Sequence, residues 1–227
     1  MDFSRIVFVV AYVATLCCYF FSETSGKMKY RAPNKIILAS LFLAYALVAF
    51  FLRSDLRSYH LLFMVAIFLA WFGDVYLLWD FSRGGDLFLC SNICFFVYEL
   101  VLAGDAGLSF GDFWWFILVF AALWGSMVFL AATKRIDFGK SRFPMLLYLA
   151  SVTLHGSLGL ALACNASRAS LPAVKLVLLG LGLGLFLASD YFLTLHKFVF
   201  TKSKAILRLN SGTYFVGLLL VVLSMSY

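Results

Sequence analysis

Residues 62–79 read LFMVAIFLAWFGDVYLLW, eighteen residues carrying one charge, Asp74. A stretch of this length and apolarity matches the ~17–25 residues of a membrane-spanning helix. It lacks the alternation of a barrel strand. A carboxylate inside such a stretch costs roughly 2.5–3.5 kcal/mol on insertion scales, which makes it a functional candidate by default. Residues 177–195, VLLGLGLGLFLASDYFLTL, repeat the arrangement, with Ser189-Asp190 in place of Gly73-Asp74.

Working outward, eight apolar segments can be marked, at about 3–21, 35–52, 61–79, 87–103, 113–132, 143–163, 171–195 and 205–224. The fourth is short and contains Asn92 and Glu99, so it is the weakest of the eight. Backbone polar groups find no water in lipid, so segments like these are helices. Hydrophobic residues make up 64% of the chain and charged residues 13%, against about 45–50% and 25% in soluble domains. The reading is an all-α, polytopic membrane helical bundle of about eight spans, forming one domain over residues 1–227. The first segment is read as a retained helix, because its charged flank is only Arg5 and its apolar run exceeds that of a signal peptide.

The net charge of +7 is distributed unevenly. Loops after segments one, three, five and seven hold Lys27, Lys29, Arg31, Lys35, Arg83, Lys134, Arg135, Lys140, Arg142, Lys197, Lys202, Lys204 and Arg208. The opposite side holds Arg5, Arg53, Arg57, Arg168 and Lys175. The positive-inside rule then places both termini outside, periplasmic if the short loops indicate a bacterial inner membrane. A basic collar on the cytoplasmic side suits anionic membrane lipids. No water-exposed basic module suits nucleic acid.

This topology puts polar residues at matched depths. Asp74 and Asp190 each lie five residues before the end of a segment, and Lys35 and Tyr148 enter from the same side. Glu99, His155 and Tyr214 lie deeper. Beside Gly156, His155 reads as a hydrogen-bonded interhelical residue. Arg31-Ala-Pro33 with Leu38-Ala39-Ser40 resembles Arg142-Phe-Pro144 with Leu149-Ala150-Ser151 at the same spacing. That match, and Gly73-Asp74 beside Ser189-Asp190, suggests a parallel four-plus-four repeat. The cysteines, Cys17, Cys18, Cys90, Cys94 and Cys164, read as buried small apolar residues, and no metal-ligand spacing is present. The run Gly180-Leu-Gly182-Leu-Gly184 lacks phosphate-loop context and reads as a surface for close helix packing.

The chain resembles the YhhN family of integral membrane proteins, whose characterised members are lysoplasmalogenases. The resemblance rests on Leu69-Ala70-Trp71-Phe72-Gly73-Asp74-Val75-Tyr76-Leu77-Leu78, on Leu187-Ala188-Ser189-Asp190-Tyr191-Phe192-Leu193 and on Tyr214-Phe215-Val216-Gly217. Lys35 and the Pro144–Tyr148 pattern also match. Three positions depart from the family pattern: Glu99 stands where a histidine is usual, Leu218 where a polar residue often follows, and Ile36 where proline usually follows the lysine.

The resemblance implies hydrolysis of the sn-1 vinyl ether of a lysoplasmalogen (lysoplasmenyl-ethanolamine or -choline) to a fatty aldehyde and a glycerophosphodiester, without metal or organic cofactor. Such chemistry needs a general acid at the alkene and negative charge near the resulting cation, tasks that two carboxylates in different environments divide. Asp74 and Asp190 are the implied pair, and either can be the acid. Lys35, Glu99, Tyr148, Ser189 and Tyr214 are candidates for substrate binding or support: Lys35 for the phosphate or an aspartate, the tyrosines as hydrogen-bond donors, Glu99 as a proton relay. Proton-coupled transport of a small or lipid-like solute, and silent lysolipid binding, are the competing readings.

Overall fold

The computed structural model describes residues 2–24 and 28–227, whose regular structure is all helix, with no strand among them. Lys27, counted above among the basic loop residues, lies outside the described residues. The helices are α1 (Asp2–Thr24), α2 (Met28–Phe51), α3 (Ser58–Tyr76), α4 (Phe81–Asp105), a four-residue α5 (Phe110–Phe113), α6 (Phe116–Ala132), α7 (Arg142–Cys164), α8 (Ala173–Phe198) and α9 (Lys204–Ser224). Seven are long and apolar enough to cross a membrane, and α6 is a shorter apolar helix. The chain is therefore a polytopic helical membrane protein.

The weak segment proves to be the fifth rather than the fourth. α4 is 25 residues long, because Asn92 and Glu99 are fully buried and leave its outer face apolar. The apolar run expected from 113 is interrupted at Trp114–Trp115, leaving 17 residues in α6. That length spans about 26 Å at 1.5 Å per residue, a little under the ~30 Å hydrocarbon core. Asn165 Nδ2 donates to the Asp112 carbonyl at 3.0 Å, providing a partner for backbone at the interruption. Just before it, Ser109 donates hydrogen bonds to the Asp112 carboxylate from its hydroxyl and its backbone N–H, which hold that carboxyl below its usual range.

The chain divides into two compact units, Met1–Ser91 and Asn92–Tyr227. In the first, α1 and α2 form a hairpin. Tyr45 stacks on Phe8 with centroids 4.1 Å apart, and Glu23 accepts from Tyr19 Oη at 2.9 Å and pairs with Arg31 at 3.7 Å. α2 meets α3 where Trp71 Nε1 donates to Ser40 Oγ at 3.2 Å. α3 meets the start of α4 where Ser91 Oγ donates to the Ala66 carbonyl at 2.8 Å. Asp80 caps α4 by accepting from the backbone N–H groups of Ser82 and Arg83, as a first-turn acceptor does.

In the second unit, the glycine run packs α8 against two neighbours. A Cβ on Gly180 would run into the Gly159 carbonyl of α7, and one on Gly184 would meet Leu160 at 2.7 Å. A Cβ on Gly182 would come within 2.7 Å of the Gly217 carbonyl of α9, and one on Gly217 within 2.7 Å of the Gly182 carbonyl. Glycines spaced by two residues face opposite sides of a helix, about 200° apart at 3.6 residues per turn. One motif thus serves both contacts. The cysteines do not fill the core: Cys17, Cys18, Cys90 and Cys164 are exposed and Cys94 is half-buried. A small apolar side chain is as well accommodated by lipid as by protein.

Candidate functional site

Asp74 is 1% exposed near the end of α3. Its Oδ1 lies 3.0 Å from Lys35 Nζ, and the lysine, about two turns into α2, is 9% exposed. Lys35 therefore turns inward to the carboxylate instead of snorkelling. Two further groups shape the surroundings. The fully buried phenol of Tyr12, on α1, lies within electrostatic reach of the Asp74 carboxylate. The Phe88 ring of α4 packs onto Gly73, where a Cβ would come within 2.7 Å of the ring. The small residue before the aspartate is thus explained by the close approach of α4.

Asp190 is 4% exposed on α8. Tyr148 Oη, from α7, donates to its Oδ2 at 2.7 Å, an ordinary length for a hydroxyl donating to oxygen. The carbonyl of Asp190 accepts from Thr194 Oγ1 at 2.8 Å. Ser189 is fully buried and donates to the Phe186 carbonyl at 2.7 Å, so its hydroxyl hydrogen serves its own helix. Nearby, Thr153 Oγ1 lies 3.0 Å from Tyr191 Oη and 2.6 Å from the Leu149 carbonyl. The single hydroxyl hydrogen of Thr153 goes to that carbonyl, so Tyr191 is the donor in the first contact.

The segment ends fall differently around the two aspartates. α3 stops two residues after Asp74, whereas α8 runs eight residues past Asp190 to Phe198. The chain reverses after α3 through Leu77–Trp79 into the Asp80 cap. α8 continues instead to a last turn that holds Lys197, where a basic side chain favours the helix dipole.

Tyr214, on α9, packs its ring against Phe186 at 5.3 Å and Phe215 at 4.8 Å. Glu99 is fully buried on α4, and neither carboxyl oxygen meets a hydrogen-bond partner. The carboxyl rests on Gly159 of α7, where a Cβ would come within 2.6 Å of Oε1. His155 departs from its expected role: it is fully buried, but neither ring nitrogen has a hydrogen-bond partner. Phe95, 5.9 Å away, and Phe186, 5.6 Å away, hold the ring by aromatic contact. Among the described residues no group of three or more His, Cys, Asp or Glu is gathered as a metal ion would require.

The structure therefore joins Lys35 to Asp74 in one unit and Tyr148 to Asp190 in the other. Each aspartate is met by a donor from the helix packed before it. Sequence reading did not single out Tyr12, Ser151 or Thr153. A tyrosine in the middle of an apolar first segment was the available signal for Tyr12, and the hydroxyls at i, i+3 and i+5 from Tyr148 were the signal for the others.

A family model described as the YhhN family matches residues 30–225. The match takes in nearly all of α2 through α9 and leaves α1 outside. No curated protein and no solved structure matches the chain.

Proposed function

Because the chain belongs to the YhhN family, we propose that it hydrolyses the sn-1 vinyl ether bond of lysoplasmalogens within the membrane. The observation that carries this reading is the pair of buried aspartates, each engaged by a donor of its own: Lys35 at 3.0 Å from Asp74 and Tyr148 at 2.7 Å from Asp190. Structures rarely bury two carboxylates in membrane helices without a use for them.

The chemistry assigns roles. A proton added to the β carbon of the alk-1-enyl chain produces an oxocarbenium ion. Water adds to that cation at the α carbon, and the hemiacetal collapses to the aldehyde and the glycerol hydroxyl. We assign the acid to Asp190, whose partner Tyr148 is a neutral donor able to reorient as the proton leaves. Asp74, already matched to an ammonium, is the carboxylate to which the family resemblance assigns the fixed negative charge that the reaction needs. Lys35 holds Asp74, Tyr148 orients Asp190, and Tyr214 presents an aromatic wall with Phe186. Ser189, with its hydrogen committed to its own helix, supports the turn that carries Asp190. The water supplies the departing proton's replacement, so turnover consumes no net acid and needs no metal or cofactor.

The lysophospholipid would enter from the surrounding bilayer, which we propose to be a bacterial cytoplasmic membrane. The test is aldehyde release by purified protein in detergent from an alk-1-enyl lysophospholipid, where no gradient exists. Turnover there supports a hydrolase. Binding without aldehyde would favour a lysolipid-binding protein, and gradient-dependent uptake in vesicles would favour a carrier.

A further inference from the structure

Within Asn92–Tyr227, α4 and α7 meet along a seam whose contacts advance together. Asn92 Nδ2 donates to Ser151 Oγ at 3.1 Å, Phe95 stacks on His155, and Glu99 rests on Gly159. The positions on α4 step by three and then four residues while those on α7 step by four and four, so both helices run in the same direction with one face of each turned to the other. The seam begins beside Tyr148, whose carbonyl accepts from Ser151 Oγ at 2.7 Å and whose phenol donates to Asp190. From Tyr148 to Gly159 it covers about 16 Å at 1.5 Å per residue.

This seam concentrates buried polar atoms with no partner: Asn92 Oδ1, both His155 nitrogens and both Glu99 carboxyl oxygens. All three residues are fully buried. The orientation of the Asn92 amide follows from its neighbour. Ser151 spends its hydrogen on the Tyr148 carbonyl and must accept from Asn92, which leaves Oδ1 as the free acceptor. An unsatisfied buried polar group costs about 1–3 kcal/mol, and native proteins hold few of them. Three on one seam point to a shared partner that can both donate and accept. Water is that partner, since a buried water bridges two to four such groups.

We propose that Asn92, His155 and Glu99 bind a short file of water molecules along the α4–α7 seam, and that this file passes protons between Glu99 and the Asp190–Tyr148 pair. The file is a binding site for water in its own right. Its proton-carrying role rests on the reading of Asp190 as the acid. Each transfer moves one proton along the file and delivers one at the other end. After Asp190 has given its proton to the β carbon, Glu99 re-protonates it through the file, and the proton released by the water that captures the oxocarbenium ion passes back along the file to Glu99.

The test uses the full chain in lipid bilayers with 15N-labelled histidine. The chain has three histidines, and the His155→Phe variant identifies the signal of interest. Magnetisation should pass from water to the His155 ring, and should fall at least severalfold in Asn92→Leu and in Glu99→Leu. Glu99→Leu exchanges an unpartnered polar group for an apolar one of similar size, and Asn92→Leu gives up one bond to Ser151, whose hydroxyl keeps its own bond to the Tyr148 carbonyl. A His155 ring without transfer from water, or transfer unchanged in both variants, would overturn the file.

The proton route has its own readout. In Glu99→Gln, the first turnover of aldehyde should keep its wild-type size while steady-state release falls about a hundredfold, within the range of general acid–base contributions. Wild-type steady-state rates in that variant would overturn the route. No aldehyde from folded wild type would overturn both the route and the hydrolase reading, while the histidine signal would still decide the file.

Discussion

The side chains most exposed to consequence are those that meet a buried carboxyl group. Removing one member of a buried ion pair leaves the other uncompensated, at a cost of about 3–5 kcal/mol. Lys35→Met should therefore destabilise the protein by about that much in a denaturant titration, and adding Asp74→Leu should recover most of the loss. Two independent effects that merely add would contradict the Lys35–Asp74 pair. Tyr148→Phe removes a hydrogen bond to a carboxylate, worth about 1.5–3 kcal/mol. If the bond steadies Asp190 through the reaction, aldehyde release by the variant that still folds drops roughly ten- to hundredfold. Much at this scale was legible in the sequence. The cost of charge in lipid singled out Asp74 and Asp190, and Lys35 and Tyr148 were placed on the helices that reach them. His155 was misread because a glycine neighbour suggests a close crossing but says nothing about what faces the ring. Tyr12 and Asn92 were not assigned as partners because their contacts join distant parts of the chain.

Helices were the most legible level. A period of about twenty apolar residues found each long helix, and the polar residues of α4 lowered its apolar score although they face inward. The short helix proved to be α6, where Trp114 and Trp115 read as apolar as the residues around them, so hydropathy could not show the interruption. The glycine run was read correctly as packing, but its division between α7 and α9 needs the third dimension. That division makes a prediction. Gly180→Ala forces a methyl into the Gly159 carbonyl, and overpacking of this kind costs about 1–3 kcal/mol. Gly125→Ala, at a position on α6 with nothing within 4 Å, should be neutral or stabilising by up to about 1 kcal/mol. Comparable melting temperatures for the two variants would contradict the packing assigned to α8.

At the scale of the molecule, the composition identified a membrane protein before any residue was assigned a role. The helices and the family match agree with that class. Orientation rests on the basic loops, thirteen Lys and Arg residues on one side against five on the other. A reporter active only outside the cytoplasm, fused after Tyr227, should be active, and one fused in the Lys134–Lys140 loop silent. The reverse pattern would invert the topology. The division into two units was not visible in the sequence, because α4 runs through the boundary as one uninterrupted helix.

The central claim, carbon protonation by buried aspartates, is tested most directly by hydrolysis in D2O. Purified protein in detergent is given an alk-1-enyl lysophospholipid, and the aldehyde is trapped as it forms and weighed by mass spectrometry. The account predicts one deuterium at the carbon next to the aldehyde in the wild-type product, and no product from folded Asp74→Asn or Asp190→Asn. Aldehyde without deuterium, or undiminished release by either folded variant, would contradict it.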